Sequence, residues 1–305
     1  MIPHVAPATW HVAPRPGSFA AALRSDAPDG CRVALLGCPD DEGVRLNGGR
    51  VGAGRGPTAL RDALARYGVQ DAAALGPAAW PAVFDAGNVV AADTLAATHA
   101  RVEAAADALH ARGLLVIGLG GGHDLTLPLA RAASRAARAA DPARSVHLAY
   151  LDAHLDVRPE PGSGMAVRRL LEERAITSAA VHGLDPFVTT REQLRWFTSH
   201  GGRVDEALRP PEPGVALYLS VDLDVLDAAH APAVSAMHPD GWTPARAAAA
   251  CRAAGRQPDL VGADIMELNG ALDTDGRTAR LAAHLLLQLL LGIAEREADA
   301  AGAAR

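Results

Sequence analysis

The stretch "SVHLAYLDAHLDVRP", residues 145–159, is an apolar run that ends abruptly in charge. From Ser145 to Leu151 its apolar character is nearly continuous, which marks a strand covered on both faces. The same form recurs along the chain. "RVALLGC" (32–38), "LLVIGLG" (114–120), "ITSAAVHGL" (176–184), "VALYLSVDLD" (215–224) and "DLVGADIMEL" (259–268) all read as strands. Between them lie segments of helical pattern near 57–67, 92–112, 124–140, 164–174, 188–200, 243–254 and 277–297. Buried strands alternating with helices predict one α/β domain, a three-layer αβα arrangement around a mostly parallel sheet. Residues 1–30 are rich in proline and alanine and are expected to form an irregular N-terminal segment, with the domain over 31–305. In such sheets ligands bind beyond the carboxyl ends of the strands.

The chain has 305 residues, 49% apolar and 21% charged, which suits a protein that buries a sizeable core. A net charge of −6 without a basic cluster argues against nucleic-acid binding. Cys31, Cys38 and Cys251 are odd in number and show no C-x-x-C spacing, so the expected compartment is the cytoplasm. No signal peptide is evident at the N-terminus. The apolar segment "ARLAAHLLLQLLLGIAEREA" (279–298) contains His284 and Gln288 and ends in charge. A core-facing helix accounts for it better than a membrane span.

Three strand ends carry residues that resist burial. Asp152, His154 and Asp156 are spaced by two, which on an extended chain points all three side chains the same way. Asp222 and Asp224 repeat that spacing after "VALYLS". His123 follows three glycines in "GLGGGHDLTLP" (118–128). That loop has the look of a dinucleotide loop, but the fingerprint fails. Its third glycine would fall on His123 or on Leu125, and no Gly-Lys-Ser/Thr follows. Four carboxylates and two imidazoles meeting at one place need positive charge. Two divalent cations supply four charges, and carboxylate with imidazole donors and no thiolate fit Mn2+ better than a structural zinc site. Such a pair can hold a bridging hydroxide as nucleophile. A mononuclear zinc deacetylase would leave Asp222 and Asp224 in surplus. A binding protein that had lost its metals would show a broken ligand set.

"GGGHDLTLP", "LDAHLDVR" and "SVDLDVLDAAHAPAVSA" resemble, in order, the three metal motifs of the ureohydrolase family, which includes arginase, agmatinase and formimidoylglutamase. The likeness spans about residues 32–295. It implies an arginase-like fold and two Mn2+ per subunit. One metal would take His123, Asp152, Asp156 and Asp222, the other Asp152, His154, Asp222 and Asp224. "ADIMELNG" resembles the family's last motif, in which Glu267 would hold the substrate's planar cationic group. Asp156 would relay a proton to the leaving amine.

The metal motifs do not choose the substrate. "LLGCPDDEGVRLNGGRVGAGRGPTALRDAL" (35–64) and "GSGMAVRRLLEE" (162–173) resemble the formimidoylglutamase branch. Arginases carry a histidine three residues after the position of Gly164, where this chain has Val167. Agmatinases usually have Asp-His after two glycines, where this chain has a third glycine. "APA" (231–233) and Met237 depart from the usual pattern, outside the ligands. The resemblance implies hydrolysis of N-formimidoyl-L-glutamate to L-glutamate and formamide, a step of histidine degradation. The alternative is an agmatinase-like or other guanidino-compound ureohydrolase that releases urea. Arg158, Ser163, Gly164, Arg45 and Arg50 are candidate contacts for the substrate's carboxylates, since a guanidinium fork suits a carboxylate. A homo-oligomer is expected by analogy with the family, with no nucleic-acid or membrane partner.

Overall fold

Apolar residues on both faces let a strand lie in the middle layer of a sandwich, and β2 (Val33–Cys38), β5 (Val146–Leu151) and β8 (Ala216–Asp222) are buried at every position. The computed structural model describes residues 1–68, 80–209 and 211–303. Among these, nine strands form one sheet. The others are β1 (Val5–Ala6), β3 (Val83–Val89), β4 (Leu115–Gly120), β6 (Ser178–His182), β7 (Gly202–Val204) and β9 (Leu260–Met266). Their order is β1-β3-β2-β4-β9-β8-β5-β6-β7, and every pairing is parallel except that of β1 with β3.

Strand alternation divides the core in two. Leu35, Ile117, Leu219 and Ile265 face α2 (Gly56–Leu64), α7 (Pro244–Gly255) and α8 (Arg277–Ala303). Leu36, Val116, Leu148 and Tyr218 face α3 (Leu95–His110), α4 (Thr126–Ala140) and α5 (Ala166–Glu172). The three-layer prediction is met. α8 is long and apolar enough to cross a membrane, but 72% of that window is buried inside the protein. It crosses α7 where Gly255 meets Gly292; a Cβ on either would come within 2.2 Å of the other helix's backbone.

The six strands read from the sequence appear as β2, β4, β5, β6, β8 and β9. β3 was not anticipated, because "VFDAGNV" carries Asp85, Gly87 and Asn88. Its polar residues have a buried partner on a neighbouring helix. Arg61 of α2, fully buried, donates to both Asp85 oxygens at 2.9 and 2.7 Å, to Asn88 Oδ1 at 2.8 Å and to the Gly87 carbonyl at 3.2 Å. Within residues 1–30, β1 joins the sheet edge, and the His11 and Val12 amides donate to Asp62.

Two short helices complete the frame of the site. α1 (Glu42–Leu46) follows β2, and α6 (Arg191–Ser199) is capped by Thr190 and Gln193 in a reciprocal pair of hydrogen bonds.

Candidate metal centre

β4, β9, β8 and β5 are neighbours in the sheet, and the chain leaving each of them brings one group of residues to the same place. His123 follows β4, Glu267 follows β9, Asp222 ends β8 with Asp224 in the next turn, and Asp152, His154 and Asp156 follow β5. The strand order therefore gathers positions as much as 144 residues apart in sequence.

His123 Nδ1 lies 3.1 Å from Asp152 Oδ2, 2.7 Å from Asp156 Oδ2 and 3.3 Å from Asp222 Oδ2. His154 Nδ1 lies 3.4 Å from Asp152 Oδ1 and 2.9 Å from Asp224 Oδ2. Asp152 thus faces both imidazoles, one oxygen to each. The groups His123–Asp152–Asp222 and Asp152–His154–Asp224 each present donor atoms close enough to share a cation.

The convergence of the Asp-His-Asp series has a different cause from the strand alternation expected of it. β5 ends at Leu151, and Asp156 sits in the left-handed region at φ 51°. That residue turns its carboxylate back toward His123. Glu267 is left-handed too, at φ 65°. Non-glycine residues adopt this conformation at a cost, and it recurs at functional sites.

The glycines before His123 do not serve a left-handed turn. None of residues 118–122 has a positive φ. They are small because the space is filled: a Cβ on Gly120 would meet Met266 Sδ at 1.8 Å, and one on Gly121 would meet the Asp40 carbonyl at 2.1 Å. The glycines serve close packing of the loop, and with its fingerprint broken at His123 and Leu125 the dinucleotide reading has no support.

The donor chemistry fits metal ions. Ser220 Oγ gives its hydrogen to Asp264 Oδ1 at 2.6 Å, so it accepts from His123 Nε2 at 2.9 Å. That places a proton on Nε2 and makes Nδ1, which faces three carboxylates, the ring atom that would meet a metal ion. His123 Nδ1 and Asp152 Oδ2 are buried with no hydrogen-bond partner among the described residues. A cation satisfies both atoms. The carboxylate–serine–histidine chain is the kind of outer support that fixes a metal ligand's tautomer. Asp264, fully buried and also bonded by Tyr218, went unremarked in the sequence; a lone aspartate inside "GADIM" was the available signal.

Proton affinities express the same excess of negative charge. Burial pushes the Asp152 carboxyl up to about 6, with Asp156 and Asp224 acting in the same direction. Asp222 is raised well above the usual carboxylate range by burial and by repulsion from Asp224 and Asp152. Burial likewise raises Glu267 to about 8. For His154 burial favours the neutral ring, but Asp224 and Asp152 outweigh it and lift the imidazole to about 12. Burial opposes charge on His123 as well, and the carboxylates of Asp156, Asp152 and Asp222 again prevail. Asp224 is burdened by burial too, yet the His154 charge beside it pulls it below its ordinary value. In the metal-free protein protons occupy positions where divalent cations would serve.

Above the cage lies a cavity of about 320 Å³. Glu267 forms part of its lining. Its Oε1 accepts from the His123 amide at 2.9 Å, while Oε2 is buried and unpartnered among the described residues. Arg158, Ser163, Gly164 and Arg50 line the walls. Arg50 already donates to backbone carbonyls of Val234 and Ser235. Arg45 is not brought to the cavity; it pairs with Glu42 on the exposed side of α1. Val167 is buried in the core against β5 and its helices, away from the cavity lining. The sequence reading missed Asn47 and Gln193, which line the cavity. Asn47 sits in the quoted "DEGVRLN" core and was therefore within view; nothing in the sequence pointed to Gln193.

The profile of the arginase family matches residues 31–292. A formimidoylglutamase of Aromatoleum aromaticum is 35% identical, with 91% of this chain and 87% of that protein covered. A formimidoylglutamase of Rhodococcus jostii is 34% identical over 92% of this chain and 90% of that protein. The crystal structure of Trypanosoma cruzi formiminoglutamase with Mn2+ superposes with a TM-score of 0.80 at 27% identity, covering 90% of this chain and 98% of that one.

Proposed function

The chain belongs to the arginase family, and from that premise we propose that it is a formimidoylglutamase with two Mn2+ per subunit, hydrolysing N-formimidoyl-L-glutamate to L-glutamate and formamide. The observation that carries this reading is one cavity with two unlike ends. Its floor is a cage of four carboxylates and two imidazoles, and its wall carries the Arg158 guanidinium. That polarity matches a substrate with a cationic amidine at one end and carboxylates at the other. Named formimidoylglutamases covering about nine-tenths of the chain support it.

His123, Asp152, Asp156 and Asp222 would hold one Mn2+, and Asp152, His154, Asp222 and Asp224 the other. When bound, the pair supplies a nucleophilic hydroxide at neutral pH and positive charge beside the carbon under attack. Glu267 Oε2, with no partner among the described residues, accepts from the amidinium N–H groups and fixes the carbon's position. Asp156, open toward the cavity, takes the proton that the attacking water loses and delivers it to the departing glutamate nitrogen. Water adds at the carbon, the bond to the glutamate nitrogen breaks, and formamide and L-glutamate leave. Arg158 and Ser163 hold the carboxylate end. Arg158 disfavours agmatine, whose far end is a cation.

We further propose a cytoplasmic homo-oligomer. The three cysteines are buried and unpaired, which supports a reducing compartment, and the family resemblance supports assembly. The deciding experiment offers Mn2+-loaded protein N-formimidoyl-L-glutamate, arginine, agmatine and guanidino acids, with formamide and urea both measured. Formamide from the first substrate is expected. Urea from any of the others without formamide from the first would overturn the assignment.

A further inference from the structure

Asn47 caps the C-terminal end of α1 and lines the cavity, where its amide touches two donors of the wall. Arg158 Nη1 donates to Asn47 Oδ1 at 2.7 Å, and Asn47 Nδ2 donates to Ser163 Oγ at 3.2 Å. The orientation of the amide is forced, because a guanidinium only donates and must therefore meet the oxygen. The NH2 group is then left for Ser163. Since the serine oxygen accepts that bond, its own hydrogen is free to donate elsewhere. The remainder of Arg158 is held by Gly164: the Arg158 amide donates to the Gly164 carbonyl at 2.8 Å, and a Cβ on Gly164 would stand 3.0 Å from Arg158 Cδ.

We infer that Asn47 is a positioning residue which sets the site's selectivity for an anionic substrate end: one neutral amide aims Arg158 and leaves the Ser163 hydroxyl as a donor, so that both face a carboxylate. This rests on the proposed function and adds to it the group that organises carboxylate recognition. Neutrality is the essential property. An aspartate of the same shape would pair with Arg158, cancel its charge and draw the Ser163 hydrogen toward itself. Both donors would then be turned from the substrate.

The test compares Asn47→Asp with Asn47→Ala in the Mn2+-loaded enzyme, after thermal melting shows both folded. Asn47→Asp should raise KM for N-formimidoyl-L-glutamate about tenfold or more, the scale of one charge-assisted hydrogen bond. The change in kcat should be smaller than the change in KM. Affinity for L-glutamate, read by calorimetry without turnover, should fall in parallel. Asn47→Ala should be the milder variant, the reverse of the order a purely structural role gives, since Asp is the closer fit. Asn47→Asp within twofold of wild type, or milder than Asn47→Ala, overturns the inference. If Asn47→Asp does not fold, a double-mutant cycle of Asn47→Ala with Arg158→Ala on glutamate affinity decides. Coupled losses support positioning and additive losses refute it. Wild-type protein that releases no formamide refutes the proposed function and this inference with it. Formamide release by wild type with an indifferent Asn47→Asp refutes the role of Asn47 alone.

Discussion

Arg61 and Asp85 lie near one edge of the sheet, and the His123–Asp152 cage lies at the ends of its central strands. Both are charge clusters taken out of water. Around Asp85, a protein cation meets the anion in a two-pronged contact, and Asn88 with the Gly87 and Pro57 carbonyls takes the remaining guanidinium hydrogens. Around Asp152, four carboxylates face two imidazoles, and among the described residues no arginine joins them and buried oxygen and nitrogen atoms lack partners. The first cluster is complete within the chain and serves the fold. The second is complete only with cations from outside, and that incompleteness is what identifies a site.

The contrast can be broken from either side. The largest effect is expected at Asp152, which faces both imidazoles. Asp152→Ala should lose both metals and lower kcat/KM by about 10³-fold or more; elemental analysis showing two Mn2+ per subunit would refute the shared-ligand arrangement. Arg61→Ala should cost about 3–5 kcal/mol of folding free energy, because it strands Asp85 in the core. Its metal content per folded molecule should stay that of wild type, and denaturant titration with metal analysis checks both halves. Ser220→Ala should weaken Mn2+ binding about 10- to 100-fold while the protein stays folded, as loss of a ligand's outer partner does. Metal titration followed by calorimetry measures it, and unchanged affinity would remove the serine from the support of His123.

The smallest effect is a pH slope. The folded metal-free chain keeps the Glu267 proton to about 8 and the His154 proton to about 12, while the unfolded chain loses them near the ordinary values of 4.5 and 6.5. Between about pH 7 and about pH 9 the folded state therefore binds more protons, and its stability falls as pH rises. The slope is on the order of 1 kcal/mol per pH unit for a group such as Glu267 while it remains protonated. Melting curves of chelator-treated protein should show the decline, and added Mn2+ should abolish it, because cations replace the protons. A flat profile without metal would mean that the cage carries no excess of negative charge.

What the sequence disclosed follows the same division. Strands buried on both faces announce themselves through apolar runs, so the central sheet and the residues at its carboxyl ends could be read directly. β3 escaped because its polar residues are satisfied by Arg61, a partner 24 residues away from Asp85 that no local pattern reveals. The six proposed ligands were legible because short spacings and strand ends brought them into view. The cavity wall was less so. Arg45 and Arg50 sit in one motif, yet one turns out to Glu42 and the other is engaged by backbone carbonyls, outcomes fixed by the path of the loop after β2. Asp264 and Asn47 act through neighbours, and such residues lack a spacing of their own.

Asp156 and Glu267 hold left-handed backbone with full side chains, a conformation that glycine adopts freely. The fold keeps these two carboxylates against its own conformational preference. Selection for heat resistance and release from selection for catalysis would therefore press on the same two positions and favour the same replacement. A descendant carrying glycine at both would be a sturdier protein with its reaction gone.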